Sequence, residues 1–330
     1  MPARQRHGRS DSPEPVVPFR TRAARDRIRL QGHDCLDFLQ RMSTADLRAL
    51  EPGAGTATVF LTEKARILDV ACLLRTGAEE VELLLSPGAG ELIWRWLRQH
   101  RFTEELELAP PERWAGVELH GIQSAEELSA LLGKEVHLRQ CLAWGDWAVV
   151  ELEGISVCVV AVPGLRARGV ALLAAESVCE GLQRRLAGIP MVDEPTAEAL
   201  RILAGIGRWG AEWRQDYNPF EAGLEKLVSL DKGCYVGQEV LARLQTYGKV
   251  QRRLVRVCAR EPLQSGMQVL CGEVSAGELT SAAYAPWLRQ WVALGYVRRE
   301  CLEQGVPLYA QTPAGEKLSL ELCSVANPGG

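Results

Sequence analysis

Apolar and polar positions along this chain follow two different periods. Near-alternation, or short fully apolar runs, over 27–31, 56–61, 67–74 and 81–85 predicts strands, as it does near 104–108, 114–121, 147–152 and 155–162. Apolar residues at three- and four-residue steps predict helices over 34–47, 91–100, 125–132, 174–186 and 196–204. Strands and helices come in mixed order without βαβ alternation, which favours an α+β fold over a doubly wound sheet. From about residue 250 the texture changes. Strand-like runs recur at 253–258, 267–270, 278–283, 291–297, 307–309 and 318–322, separated by Gly or Pro and with no helical pattern between them. That pattern predicts a small all-β module, a barrel. The organisation read from the pattern is a tail over 1–20, an α+β region of two subdomains over 21–249, and a β-barrel over 250–330.

Composition narrows the picture. With 330 residues, 47% apolar and 24% charged, the chain is long enough for about two globular domains. A net charge of −4 excludes a bulk electrostatic grip on nucleic acid and leaves room for a local basic patch. The most apolar stretch, 155–162, is far too short to span a membrane. The ten cysteines are scattered, with no CxxC pair and no clustered His partners, which points to reduced thiols in a cytoplasmic compartment and to no metal site. Residues 1–30 hold eight Arg and three acids. An Arg-rich leader would instead address the mitochondrial matrix. Pro2, Pro13, Pro15 and Pro18 oppose the amphipathic helix such a leader needs, so a disordered basic tail is the expectation.

Two familiar patterns do not survive inspection. Gly205-Ile206-Gly207-Arg208-Trp209-Gly210 matches GxGxxG, but a helical pattern precedes it where a dinucleotide site needs a strand. It reads as a helix stop and a glycine-rich loop. His33 stands beside Asp34 and Cys35 and reads as a turn and helix cap rather than a metal ligand.

The informative stretch is Asp231-Lys232-Gly233-Cys234-Tyr235-Val236-Gly237-Gln238-Glu239. It reads as a glycine-flanked turn opening into a helix from Glu239 to Leu244. A thiol near a helix N-terminus, two residues from an ammonium, is favoured as thiolate by the dipole and by the lysine charge. Gly233 and Gly237 would permit tight backbone geometry and close approach, and Tyr235 would offer a hydrogen bond beside the sulfur. From residue types alone, a structural turn with a buried cysteine is the favoured reading.

Lys-Gly-Cys-Tyr-x-Gly-Gln-Glu over 232–239 resembles the signature of the YgfZ family, folate-binding relatives of the glycine-cleavage T-protein (aminomethyltransferase). Shorter pieces resemble the family in the same order. They are Arg29-Leu30-Gln31-Gly32 with Phe38-Leu39-Gln40, Ala65-Arg66-Ile67-Leu68-Asp69, Arg201-Ile202-Leu203-Ala204-Gly205-Ile206, Pro219-Phe220-Glu221-Ala222-Gly223-Leu224, Thr280-Ser281-Ala282 and Ala293-Leu294-Gly295-Tyr296-Val297. The resemblance implies a folate-binding α+β region and a C-terminal barrel arranged as a ring around a central cavity. It also implies bound tetrahydrofolate or a derivative, and a role in assembling or repairing iron–sulfur enzymes, tRNA-modifying ones among them. Cys234, Lys232 and Tyr235 would form the working site, with Gly233, Gly237 and Glu239 shaping the motif. Glu221, Trp209, Arg243 and Gln238 would contact the folate.

Departures separate the relatives. In the T-protein the strand that 67–70 resembles ends in the acid that activates folate, and here that place holds Val70. A valine can neither hold nor move a proton. The acid of the later T-protein loop is Leu203 here. Aminomethyl transfer is therefore expected to be lost, and a folate-dependent one-carbon transferase is the alternative. Trp209 and Trp213, and likewise Trp287 and Trp291, stand four apart and suit either core packing or stacking on a pterin. Residues 243–260 hold Arg243, Lys249, Arg252, Arg253, Arg256 and Arg260 and no acid. That stretch would meet the glutamate tail of folate or, as a second alternative, an RNA backbone.

Overall fold

A computed structural model describes residues 14–139, 142–248 and 250–323. The tail up to residue 13, Cys141 and Lys249 lie outside the described residues.

The first strand, β1 (Phe19–Gln31), is much longer than the 27–31 segment that alternation predicts, and it begins inside the expected tail. Its charges hide it. Arg20, Arg22, Arg25, Asp26, Arg27 and Arg29 make the segment read as surface, yet Phe19 and Arg20 are buried. Each inward charge has a specific partner, as burial demands. Arg20 Nε donates to the Ile189 carbonyl at 2.9 Å, Arg25 to Glu118, and Arg27 to Glu82.

Next come α1 (Cys35–Met42), β2 (Gly55–Leu61), β3 (Ile67–Arg75), β4 (Glu80–Leu85), α2 (Gly90–His100), β5 (Glu107–Leu108) and β6 (Glu112–Ile122). Helix α1 stops short of the predicted 47, because from Ser43 the backbone is extended and bridges Phe60. Asp34 precedes α1 without capping it; its carboxylate accepts the Glu105 N–H instead, and His33 is exposed. Then follow α3 (Ala125–Leu132), β7 (Trp147–Leu152), β8 (Ile155–Pro163), β9 (Arg168–Ala175), α4 (Cys179–Arg185) and α5 (Glu194–Ala204). Strand β9 falls partly where a helix over 174–186 is predicted. Its run Val170–Ala174 is buried on both faces, and a fully apolar run carries no period to distinguish strand from helix.

These strands form one antiparallel sheet in the order β2-β3-β4-β1-β6-β9-β8-β7, with β5 added beside β1. Strand β1 joins its halves. Residues 19–27 pair with β6, and residues 26–31 with β4. Helices α1 and α2 cover one half with Phe38, Leu39, Ile93 and Leu97, and α3 and α4 cover the other with Leu128, Leu132 and Leu182, joined by Leu186 just past α4. The opposite faces of both halves meet in a third cluster that includes Cys72, Leu84, Cys158, Val160 and Leu173.

After α6 (Gln238–Thr246) the chain forms β10 (Arg252–Ala259), β11 (Gln268–Cys271), β12 (Val274–Ala285), β13 (Gln290–Arg298), α7 (Arg299–Gln304), β14 (Leu308–Gln311) and β15 (Lys317–Leu322). The strands close as β10-β13-β12-β11-β14-β15, so the α+β region followed by a barrel is the architecture observed. One short helix, α7, interrupts the barrel strands where none was predicted.

Glu212 ties the barrel to the rest. It is fully buried, and its carboxylate accepts hydrogen bonds from Thr280 and Ser281 on β12 at 2.5 and 2.7 Å and from Arg201 on α5 at 3.0 Å. Tyr296 on β13 donates to the Glu212 carbonyl at 2.9 Å and stacks on Tyr217.

Candidate functional site

A cavity of about 790 Å³ opens on the inner face of the sheet. Strand β1 contributes Arg22 and Arg25, β3 Val70 and Cys72, β4 Leu84, and β6 Arg113, Gly116 and Glu118. The far wall is Trp144, the 162–165 segment, Arg201 at the end of α5, and the loop from Ile206 to Trp213. Gly205 ends α5 in the left-handed region (φ 72°), confirming a helix stop in place of a dinucleotide motif. Gly207 is required by close approach: a Cβ there would lie 2.4 Å from Trp213 Nε1.

Five arginines and two glutamates, Glu118 and Glu176, are among the lining residues. Arg25 spends its charge on Glu118 at 2.5 Å, Arg113 pairs with Asp26 at 3.0 Å, and Arg201 with Glu212. Arg22 and Arg208 are exposed at the cavity, Arg208 with Glu198 3.7 Å away. The wall is therefore cationic, and low local dielectric strengthens its pull on an anion. Three tryptophans face the same space. Trp209 is held by a 3.0 Å hydrogen bond from its Nε1 to the Leu68 carbonyl, and Trp144 stacks with Trp213 at 6.4 Å between ring centroids. Trp209 and Trp213 belong to a loop and not to one helical face, so their spacing of four is incidental. A smaller pocket of about 180 Å³ shares Trp144, Pro163, Ile206, Gly207 and Trp213 and continues to Ala222–Leu227.

Val70 stands in the cavity wall. Its neighbour Asp69 is turned away. Asp69 is fully buried, accepts the Ser86 N–H at 2.9 Å through Oδ2, and has no partner for Oδ1. Burial pushes its carboxyl up to about 7. Cys72 lines the wall beyond Val70, and burial pushes its thiol up to about 11.

The thiol loop lies elsewhere. Cys234 is exposed and is not among the residues lining the cavity, so it does not face a ligand held there. Its neighbours are pinned. Lys232 is buried, and its Nζ donates to the carbonyls of Ser43 and Ala45 at 2.7 and 2.5 Å, 4.9 Å from the Tyr235 ring. Lys232 is thus committed to the chain end after α1 and is unavailable to an anionic ligand; burial lowers its ammonium to about 8. Tyr235 is buried, its hydroxyl unpartnered, so it makes no hydrogen bond to the sulfur. Gln238 accepts the Tyr235 N–H and donates to the carbonyls of Leu230 and Lys232. The Val236 N–H bonds the Arg41 carbonyl. Gly237 is at φ 82°, and a Cβ there would sit 2.8 Å from the Thr62 carbonyl. Gly233 has neither constraint: a Cβ would meet nothing within 4 Å.

The remaining sequence-predicted contacts are dispersed. Glu221 is buried but absent from the cavity lining; it accepts the Asn218 N–H and lies 3.5 Å from Arg66, and burial raises its pKa. Arg243 and Glu239 pair with each other on the exposed face of α6. The basic stretch does not form one strip either. Arg256 is buried and donates to the Leu203 carbonyl, whereas Arg252, Arg253 and Arg260 are exposed. Leu203 borders a second cleft, with Arg256 and Trp287. Of Glu221, Trp209, Arg243 and Gln238, Trp209 alone is in the cavity wall, where Trp213 joins it. Sequence reasoning missed Arg22, Arg25, Glu118 and Trp144. The available signal was the run of arginines at alternate and near-alternate positions in β1, of which the predicted strand, 27–31, takes in only the last two.

The model of the GCVT N-terminal domain matches residues 23–232, and that of the glycine cleavage T-protein C-terminal barrel domain matches residues 252–325. An aminomethyltransferase of Rippkaea orientalis is 28% identical over 86% of this chain and 78% of its own length. A mitochondrial aminomethyltransferase of Flaveria trinervia is 26% identical over 85% of this chain and 72% of its own. A chloroplastic protein of Arabidopsis thaliana with a transferase name is 28% identical over 84% of this chain, which spans 65% of that relative's length. The crystal structure of aminomethyltransferase T from Bartonella henselae superposes with a TM-score of 0.78 at 20% identity, covering 94% of this chain and 86% of the other. Sheet, barrel and both domain matches agree, and the chain belongs to the glycine-cleavage T-protein family.

Proposed function

We propose that this chain is a YgfZ-type member of its family: a tetrahydrofolate-binding protein that has given up aminomethyl transfer and supports iron–sulfur enzymes through Cys234. The observation that carries this reading is the separation of two features. The cavity wall has Val70 where transfer needs an acid, and the exposed thiol sits outside the cavity on a loop that Lys232, Val236 and Gln238 hold in place by hydrogen bonds.

The cavity's dimensions and walls suit a folate. A volume of about 790 Å³ lies in the range of small-molecule sites, tryptophan faces accept a pterin or benzoyl ring, and Arg22 and Arg208 offer charge to a glutamate tail. A reduced folate supplies one-carbon chemistry when bound. On the protein side, Trp209 orients a ring, the arginines hold a carboxylate, and no side chain at 70 moves a proton. An exposed thiol outside that cavity is placed to meet another protein. The resemblance of 232–239 to the YgfZ signature makes iron–sulfur enzymes the partners this reading names.

Calorimetric titration with tetrahydrofolate tests the first half. Binding in the micromolar range, about −8 kcal/mol, is expected for wild type and for Cys234→Ala alike, and Trp209→Ala should weaken it at least tenfold. No heat from the wild-type protein would detach the chain from folate. The second half is tested in cells lacking this protein. Activity of an iron–sulfur dehydratase should return with the wild-type gene and not with Cys234→Ala; full rescue by Cys234→Ala would reject the thiol's role.

A further inference from the structure

The four cysteines of the barrel are widely spaced in sequence, at 258, 271, 301 and 323, yet the fold brings them into two pairs. Burial raises the thiol of Cys323 and its neighbour Cys258 raises it further; burial and the neighbouring Cys271 do the same to Cys301. The pairs differ in access. Cys271 and Cys301 are buried, whereas Cys258 and Cys323 are both partly exposed.

The accessible pair sits on the seam that closes the barrel. Strands β10 and β15 meet over only two register partners, Val257 with Leu322 and Cys258 with Glu321, and one further bond from the Cys323 N–H to the Arg256 carbonyl at 3.0 Å. The β10–β13 pair, by contrast, runs the full length of β10. Cys323 therefore stands opposite Arg256, one diagonal step from Cys258 on the same face. Diagonal neighbours in an antiparallel pair stand about 7–8 Å apart at Cα, the outer limit for a disulfide, so a link here needs a small movement of the strand end. Val255, Val257 and Ala259 fill the barrel core, so Cys258 points outward, where it packs beside α5. The register and the shared face describe two cysteines that a small shift of the strand end would bring to bonding distance.

We propose that Cys258 and Cys323 form a disulfide by exchange with a low-molecular-weight disulfide, stapling the barrel's closing seam. One cysteine thiolate attacks the small disulfide, forms a mixed disulfide and releases one small thiol. The second cysteine attacks the protein sulfur of that mixed disulfide and releases the other. Two protein thiols thus lose two electrons and two protons, and one small disulfide becomes two small thiols. The link joins residues near the two ends of the barrel sequence, so it restricts the unfolded barrel strongly. Burial raises the Cys323 thiol, so the exchange should quicken with rising pH.

The test uses the full chain, equilibrated with graded ratios of oxidised to reduced glutathione, quenched by alkylation and mapped by peptide mass. The expected result is a linked Cys258–Cys323 peptide and loss of two alkylation sites, with Cys271 and Cys301 alkylated only after unfolding. Exposed Cys234, carrying a glutathione adduct, reports that the oxidant acted. Cys323→Ser should leave Cys258 as a glutathione adduct, and the linked wild-type protein should melt several degrees above the reduced one. Adducts on both cysteines without a link, or full alkylation of both at every ratio while Cys234 is modified, would overturn the proposal.

Discussion

Asp69 shows how one buried atom sets a pH dependence. Desolvation raises its carboxyl from an ordinary value near 4 to about 7, against the Ser86 N–H that favours the anion. Below pH 4 the folded and unfolded chains both hold the proton, and nothing is lost. Between pH 4 and 7 the unfolded chain ionises while the folded one keeps its proton. Stability therefore falls as pH rises through that window and stays lower above it. The effect at this site is on the order of 4 kcal/mol. Asp69→Asn keeps an acceptor for Ser86 and removes the titration. Urea unfolding at pH 5 and 7.5 should show a difference in wild type that shrinks in Asp69→Asn; equal slopes in the two proteins would exclude Asp69 as the source. The adjacent Val70 is the other residue-scale lesson. Its side chain fills the wall position that reaches the cavity, and one step along the strand Asp69 points into the core.

At the scale of elements, the 231–239 loop and α6 behave as one clamp. Lys232, Gln238 and Val236 bind it to itself, to α1 and to the chain just after α1, and Cys234 is among the residues left exposed. The two glycines of the motif separate cleanly. At Gly237 a side chain meets both an unfavourable φ and the Thr62 carbonyl, so Gly237→Ala should cost about 1–3 kcal/mol. At Gly233 there is space and no positive φ, so Gly233→Ala should be neutral within about 0.5 kcal/mol. Denaturant midpoints of the two variants check this, and equal losses would show that the motif's glycines serve something other than the backbone. Most elements were legible from period alone: β2, β3, β4, α2, α3, β7, β8 and the barrel strands fall within a few residues of their predicted ranges. The failures were β1, disguised by charge, and β9, whose two buried faces carry no period.

At the scale of the molecule, a charged residue joins the cavity wall to the barrel. Glu212 collects hydrogen bonds from α5 and β12 at a point without solvent. Removing one member of such a buried network leaves the others desolvated and unpaired. Glu212→Ala should therefore lower unfolding free energy by about 3–5 kcal/mol, read by chemical denaturation. A loss below about 1 kcal/mol would mean that barrel and sheet hold together by apolar packing alone.

What the sequence determined by itself was the class of fold, the barrel at the C-terminal end, the octapeptide and the identity of Val70. These rest on local period and on residue identity, which need no knowledge of distant neighbours. What tertiary structure alone decided was which residues meet. Lys232 looked like a charge available to a thiol or a ligand, and its ammonium is taken by two carbonyls almost 190 positions earlier in the chain. Arg22 and Arg25 lay ahead of the predicted strand with no sign of a ligand wall and became part of one. Scattered barrel cysteines became pairs. In each case the partner lies far away in sequence. The free energy of a buried charge or thiol depends on that partner, so no local pattern carries the information.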